Sequence, residues 1–171
     1  TFFMALQNML KVWFKRINQM IKLFEEFKEE KKIKKLLSSK KVFDISFPGK
    51  PSGNGWKLSI AGKSLQDSID LWERLHDYLV QQNIAHKFGT LKRIKHPNKE
   101  QAKKLLTIYV PNAVSINDLA PEIESKLKGY KGWQDIKTPS GYEHWGNAIF
   151  FRNDRDSQGN YIKAQNRDLY M

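Results

Sequence analysis

Residues 56–61 read Trp-Lys-Leu-Ser-Ile-Ala, and this stretch decides the fold class. Its side chains alternate between two faces, with Trp56, Leu58 and Ile60 on one and Lys57, Ser59 and Ala61 on the other. This period of two predicts a β-strand with one buried face. The preceding residues 50–55 are rich in Pro, Gly, Ser and Asn, which is typical of a loop.

A helix is predicted directly after this strand. Ser64 is a suitable N-cap, and Asp67 occupies the capping-box position three residues later. Apolar residues then recur with a helical period until about Gln82, and they form one buried face: Leu65, Ile69, Trp72, Leu75 and Leu79.

The same order repeats further along the chain. Strands are predicted at residues 84–91, 104–110 and 147–152, with a short additional strand at residues 42–47. A second helix is expected to begin at an Asn117 cap and to end at Gly129. Residues 92–103 and 129–146 are predicted to be loops.

This order predicts an α+β fold of the split βαβ, or βαββαβ, kind. Such a fold is an antiparallel sheet with its helices on one face. The sequence therefore predicts a globular domain at residues 42–171, preceded by a different segment at residues 1–41.

Residues 1–41 form an N-terminal arm with a heptad-like apolar stripe, which predicts an amphipathic helix. The stripe consists of Phe3, Leu6, Leu10, Trp13, Ile17, Met20, Phe24 and Phe27. After Phe27 a frayed helix end and a linker are expected. The stripe is compatible with packing on its own domain or a second copy, with docking on a partner protein, or with lying on an anionic membrane.

Composition excludes several classes of function. The 171 residues carry a net charge of +12 and no cysteine, so disulfides, thiolate nucleophiles and cysteine zinc sites are excluded. No metal-binding histidine motif, phosphate-binding glycine loop or serine-nucleophile elbow occurs, and neither a metal nor a cofactor is expected. No uncharged apolar run is long enough for a transmembrane helix. The positive charge favours an anionic partner.

The remaining candidates are cations at strand ends. Lys57, Lys87, Arg152 and Arg155 would meet over the helix-free face if the predicted strands pair in this way. A guanidinium matches two phosphate oxygens, and a lysine among other cations has a lowered pKa suited to a general base. The competing interpretation is a set of solvated surface charges.

Several segments resemble bacterial phosphothreonine lyase effectors of the OspF and SpvC type, and the lyase domain of class III and IV lanthipeptide synthetases. Residues 55–61 are similar to their strand motif of Gly, any residue, Lys, apolar, His, apolar and Ser. His86-Lys87-Phe88 resembles their aromatic-Lys segment. Residues 105–110 are similar to their Phe-Thr-Leu-Tyr strand, and residues 145–156 to their closing Trp…Tyr-Arg-Asn segment.

The resemblance implies β-elimination of phosphate from phosphothreonine or phosphoserine, without metal or cofactor. It makes Lys87 the base and Lys57 the second lysine. It assigns phosphate binding to Arg152 and Arg155, with help from Arg93 and Lys104. Ser59 stands where the family has its acid histidine, and a serine hydroxyl is too weak an acid to replace it. Either His86 supplies the acid, or the chain keeps phosphoprotein binding and has lost the reaction.

The expected partner is therefore a phosphorylated protein or peptide, in the cytoplasm or, as for the secreted effectors, in a host cytosol reached from a bacterium. A basic nucleic-acid-binding α+β domain is the first alternative, although the strand at residues 104–110 lacks a Gly-Phe-Gly-Phe signature and offers only Tyr109 for stacking, and Trp56 lies on the apolar side of its strand, a position typical of a core residue. The second alternative is a protein that acts through its N-terminal helix, on a partner, in a dimer or at an anionic membrane.

Overall fold

A computed structural model describes residues 2–161. Its contacts divide the chain into two units, one ending at Leu36 and one beginning at Leu37. The predicted boundary at residues 41/42 lies five residues later. Residues 38–41 are not a linker, because they belong to the second unit and bond to it: the Lys92 backbone N–H donates to Ser39 O, and Lys92 Nζ donates to Lys41 O.

The first unit is formed by one long helix, α1, which runs from Phe2 to Leu37, so its last residue belongs to the second unit. The predicted fraying after Phe27 is wrong, since the helix continues for ten more residues. Lys and Glu are good helix formers, and pairs such as Lys22–Glu26 and Glu29–Lys32 support the helix surface. The side chains of Phe3, Leu6 and Phe27 lie outside the described residues. None of the helices within residues 2–161 combines the length and the apolar character needed to cross a membrane.

The second unit is a six-stranded antiparallel sheet with the order β1-β3-β4-β2-β6-β5. Its strands are β1 (Asp44–Phe47), β2 (Trp56–Ala61), β3 (His86–Gly89), β4 (Lys104–Tyr109), β5 (Glu143–Gly146) and β6 (Ile149–Asn153). The four strands predicted from residue 56 onward form its centre in the order second, third, first, fourth. This order is that of the predicted split βαβ layout, and the α+β class is confirmed.

Four helices complete the second unit: α2 (Leu65–Gln81), α3 (Leu91–Ile94), α4 (Lys99–Ala102) and α5 (Ile116–Lys126). The predicted capping box of α2 is present, because Ser64 Oγ accepts from the Asp67 N–H and the Asp67 carboxylate accepts from the Ser64 N–H. Helix α5 begins at a Ser115 cap rather than at Asn117. Residues 92–103 are not a plain loop, since they contain most of α3 and all of α4.

The hydrophobic core lies between the helices and one face of the sheet. Leu58 and Ile60 of β2 are fully buried there, with Leu71, Leu75 and Leu79 of α2. A strand at residues 143–146 replaces part of the predicted loop. It was missed because β5 is an exposed edge strand that reads Glu-His-Trp-Gly, without apolar alternation.

Candidate functional site

Strand register places the predicted lysines and Arg152 on the helix-free face of the sheet. Lys57 lies opposite Arg152 of β6, and Ser59 lies opposite Thr107 of β4, which in turn lies opposite Lys87 of β3. Because cross-strand partners project from the same face, these side chains share one surface. This surface, with Arg93, Lys104 and Tyr142, is called the cationic face below.

One half of the cationic face is organised by Asp154. Its carboxylate lies 2.5 Å from Lys57 Nζ and 2.6 Å from Arg152 Nε. The Arg152 contact is an ion pair without hydrogen-bond geometry, and Arg152 Nε has no hydrogen-bond acceptor among the described residues. Burial is the main cause that lowers the pKa of Lys57; Arg152 adds to this effect, and the bond to Asp154 opposes it.

The other half is organised by Asp44 of β1. Its carboxylate accepts from Arg93 Nε and, at 2.7 Å, from a terminal nitrogen of the same guanidinium. Lys87 Nζ lies 3.3 Å from the same carboxylate. Gly89 makes room for this arrangement, because a Cβ at that position would lie 3.0 Å from Arg93 Cδ and 3.3 Å from the Leu105 backbone.

Tyr142 lies between the two halves. Its ring centre is 4.6 Å from the Arg152 guanidinium carbon and 4.9 Å from Lys104 Nζ, which are cation–π distances. Its hydroxyl lies 3.5 Å from the fully buried Ser59 Oγ. Burial raises the pKa of Tyr142, whereas Arg152 and the Ser59 hydrogen bond oppose that rise.

Lys104 is the cation of this face without a carboxylate partner: within residues 2–161, no carboxylate lies at ion-pair distance from its Nζ. The pKa of Lys104 is lowered to about 8, mainly by burial and additionally by the nearby charges of Arg152, Lys57 and Arg93. A partly buried lysine surrounded by other cations destabilises the fold unless an anion binds there.

Two predicted residues are not brought to this face. His86 lies on the opposite, helix-covered face, where it is buried among aromatic side chains. Its ring stacks on Phe47, its Nε2 lies 3.2 Å from His76 Nδ1, and its Nδ1 bonds to Ile84 O. Neighbouring residues of a strand project to opposite faces, so His86 cannot serve a site that contains Lys87.

Arg155 also has other contacts. Its terminal nitrogen donates to Gly159 O at 2.6 Å, and its guanidinium lies over the Tyr161 ring. It therefore bonds within the turn that follows β6. No described contact joins it to the cationic face, in contrast to the prediction.

The sequence missed Asp44, Asp154 and Tyr142. Asp44 lies two residues before Ser46, the β1 partner of Lys87, so it shares the parity of that face once the register is known. Asp154 lies just beyond the end of β6, where strand parity gives no such signal. Tyr142 lies in a segment that was predicted to be a loop, and nothing in its neighbours indicates that its ring covers the sheet.

A groove of about 470 Å³ lies apart from these residues, beside Phe43, Lys92 and His96. The Phe43 ring centre lies 5.8 Å from the guanidinium carbon of Arg93, so the groove adjoins the Arg93 end of the cationic face. No protein-family model matches this chain, and no curated protein matches its sequence significantly.

Proposed function

We propose that the cationic face binds the phosphoryl group of a phosphorylated threonine or serine in a protein or peptide, as in a phosphothreonine-lyase-like protein. The observation that carries this proposal is the concentration of charge. Five cationic side chains, Lys57, Lys87, Arg93, Lys104 and Arg152, come from five different elements, and two carboxylates, Asp44 and Asp154, pair with four of them.

A phosphoryl dianion complements this excess of positive charge. The Arg152 guanidinium pairs with Asp154 through its buried Nε, and a guanidinium of this kind suits two oxygens of one phosphate through its terminal nitrogens. Lys104 gains a counter-ion when the phosphate binds. Both groups lie against the Tyr142 ring, which supports a phosphoryl position between Arg152 and Lys104.

Elimination requires a base for the Cα proton. The electron pair of the Cα–H bond then forms the Cα=Cβ double bond, and the Cβ–O bond breaks to release phosphate. The resemblance gives the role of base to Lys87.

The residues that define the cationic face include no imidazole donor for the leaving phosphate; His144 of β5 projects from the same side of the sheet, but its Nε2 lies 2.9 Å from Asn147 O. Ser59 occupies the position that the resemblance assigns to a histidine, and His86 is on the other side of the sheet. Tyr142 Oη is the hydroxyl beside Ser59, and its raised pKa keeps it protonated at neutral pH. We therefore expect tight phosphopeptide binding with slow elimination.

Binding is tested by fluorescence polarisation of a labelled phosphothreonine peptide against the same peptide without phosphate. The double variant K104Q/R152Q should bind the phosphopeptide at least about ten-fold more weakly, since each lost charge-assisted contact is worth more than 1 kcal/mol. Two matched single controls, R155Q and K128Q, should keep wild-type affinity.

Equal affinity for both peptides contradicts the proposal. The proposal is also contradicted if the protein binds single-stranded RNA with an affinity that falls steeply with salt and does not bind the phosphopeptide. That result supports the nucleic-acid alternative. Elimination is followed separately by mass spectrometry, as loss of phosphoric acid from the peptide. Hydrolysis would instead return unmodified threonine.

A further inference from the structure

The N-terminal part of α1 exposes an unusual amount of apolar surface. Ten large apolar side chains between residues 4 and 24 are each at least 47% exposed: Met4, Met9, Leu10, Val12, Trp13, Phe14, Met20, Ile21, Leu23 and Phe24. Exposed apolar side chains at this density mark an interaction surface.

These side chains form a wide arc. At 3.6 residues per turn, all of them except Met4 fall within about 200° of the helix circumference, from Val12 round to Phe14. The opposite arc carries Asn8, Lys11, Lys15, Asn18, Gln19 and Lys22. The exposed apolar side chains thus span more than half of the helix circumference.

The charges of this segment have one sign. Residues 4–24 contain Lys11, Lys15, Arg16 and Lys22 and no acidic residue, whereas residues 25–35 mix four glutamates with five lysines. Three of the four cations lie on the polar arc. Arg16 lies near one edge of the apolar arc, where its long stem can carry the guanidinium out to polar surroundings.

A second copy of the helix fits this surface poorly. A two-stranded coiled coil buries a narrow seam of a and d positions. It would leave Met9, Val12, Phe14, Ile21 and Leu23 in water. It would also bring two cationic segments together without an acidic residue in residues 4–24 of either helix to pair with them.

We propose that residues 4–24 of α1 lie in the interface of an anionic lipid membrane. The apolar arc enters the boundary of the acyl chains, and Lys11, Lys15 and Lys22 face the lipid headgroups. A lipid surface covers an arc of this width, and anionic headgroups supply the negative charge that the segment lacks. The helix lies along the surface and does not cross it.

The test is co-sedimentation of the full chain with vesicles of phosphatidylcholine and phosphatidylglycerol in equal parts, compared with vesicles of phosphatidylcholine alone. Wild-type protein should bind the mixed vesicles, and high salt should weaken the binding. The triple variant K11Q/K15Q/K22Q should bind about 10- to 100-fold more weakly. The control K50Q/K128Q/K137Q removes the same charge from exposed positions of the second unit and should bind as wild type.

The apolar variant W13S/F14S should also lose binding while its phosphopeptide affinity stays unchanged, which shows that the second unit is folded. Failure to bind the mixed vesicles overturns the proposal, as does equal binding to both kinds of vesicle. So does a stable dimer in sedimentation velocity that W13S/F14S dissociates, which would identify a second copy as the occupant.

Discussion

Lys57 and Arg152 lie directly opposite each other on the paired strands β2 and β6, and they share the carboxylate of Asp154. Like charges in directly opposed positions destabilise a sheet. Asp154 offsets that repulsion with a single negative charge, so the pair keeps one unit of positive charge. Asp154 therefore increases stability, and under the proposed function it competes with the phosphoryl group for the same two cations.

Replacing Asp154 with asparagine should separate these two effects. D154N should lower the free energy of unfolding by about 1–3 kcal/mol, because it leaves two partly buried cations without their counter-ion. The same variant should bind a phosphothreonine peptide several-fold more tightly. Urea unfolding and fluorescence polarisation measure the two quantities.

The control for this prediction is D135N. Asp135 is 94% exposed and lies 3.8 Å from Lys63, a surface pair of little energetic value. D135N should change neither quantity. A D154N protein with weakened peptide binding would mean that Asp154 positions Arg152 and does not compete with the ligand.

Lys104 should give stability a distinctive dependence on pH. Its pKa is lowered to about 8 in the folded chain, whereas an unfolded lysine titrates near 10.5. Between these values the unfolded chain binds more protons, so stability should rise as pH increases from about 8 to about 10. Above pH 10 the raised pKa of Tyr142 acts in the opposite direction, because the unfolded tyrosine loses its proton first.

K104M tests this dependence. It should raise the free energy of unfolding at pH 7 by on the order of 2 kcal/mol, since it removes a desolvated charge, and it should reduce the increase between pH 8 and 10. Urea unfolding at pH 7, 8, 9 and 10 provides the comparison. The increase in unfolding free energy with pH that remains in K104M is attributed to Lys57, whose pKa is also lowered. If unfolding free energy increases with pH as steeply in K104M as in wild type, Lys104 is not the cause of the increase.

The sequence predicts much of the sheet because its central strands carry clear signals. Alternation in residues 56–61 fixes which side chains face the helices, and the Ser64 cap fixes where α2 begins. The edges were less predictable. β5 has no buried face to impose a pattern, and the charged end of α1 is helical through local propensity and surface pairs rather than through an apolar stripe.

The candidate site was predictable only in part, for a similar reason. Strand parity places Lys57 and Lys87 on one face, and β-pairing adds Arg152 opposite Lys57. The same parity shows that His86, the strand neighbour of Lys87, projects away from the cationic face. Arg155 lies beyond the end of β6, where strand parity no longer fixes the direction of a side chain. The position of the Tyr142 ring depends on tertiary packing that no local pattern encodes.

The pair of buried His86 and half-buried His76 should make the fold sensitive to acid. Burial is the main cause that lowers the pKa values of both His76 and His86 below 6.5; in His86 the neighbouring His76 adds to the effect and the bond to Ile84 O opposes it. The unfolded chain therefore binds more protons as pH falls below about 6.5, and stability decreases. Above that pH both rings are neutral in the folded and in the unfolded chain, so the histidine pair no longer lowers the free energy of unfolding.

H76Q should remove part of this sensitivity. A glutamine amide retains a donor for His86 Nε2, so one titrating ring is lost while the contact has a substitute. The loss of unfolding free energy between pH 7 and pH 5 should be smaller in H76Q than in wild type, by urea unfolding. The exposed H144Q serves as the control and should retain the wild-type loss. A larger loss in H76Q would show that the pair is not responsible.

Ser59 offers the most direct test of the lyase resemblance. Its hydroxyl is fully buried beneath Tyr142, and its strand neighbours across the sheet are Thr107 and Phe150. The resemblance places a histidine at this position, where an imidazolium would protonate the departing phosphate. S59H should therefore eliminate phosphate from a phosphothreonine peptide at least about ten-fold faster than wild type, within the range of general acid catalysis.

The substitution also enlarges a packed position, so S59H should lose about 1–3 kcal/mol of unfolding free energy. S59N controls for the added volume, because its amide does not titrate at neutral pH. Elimination by S59H should depend on an acidic group with a pKa near that of histidine, and S59N should show no such dependence. An S59H protein that is folded by urea titration, binds the phosphopeptide and eliminates no faster than S59N would limit the cationic face to binding.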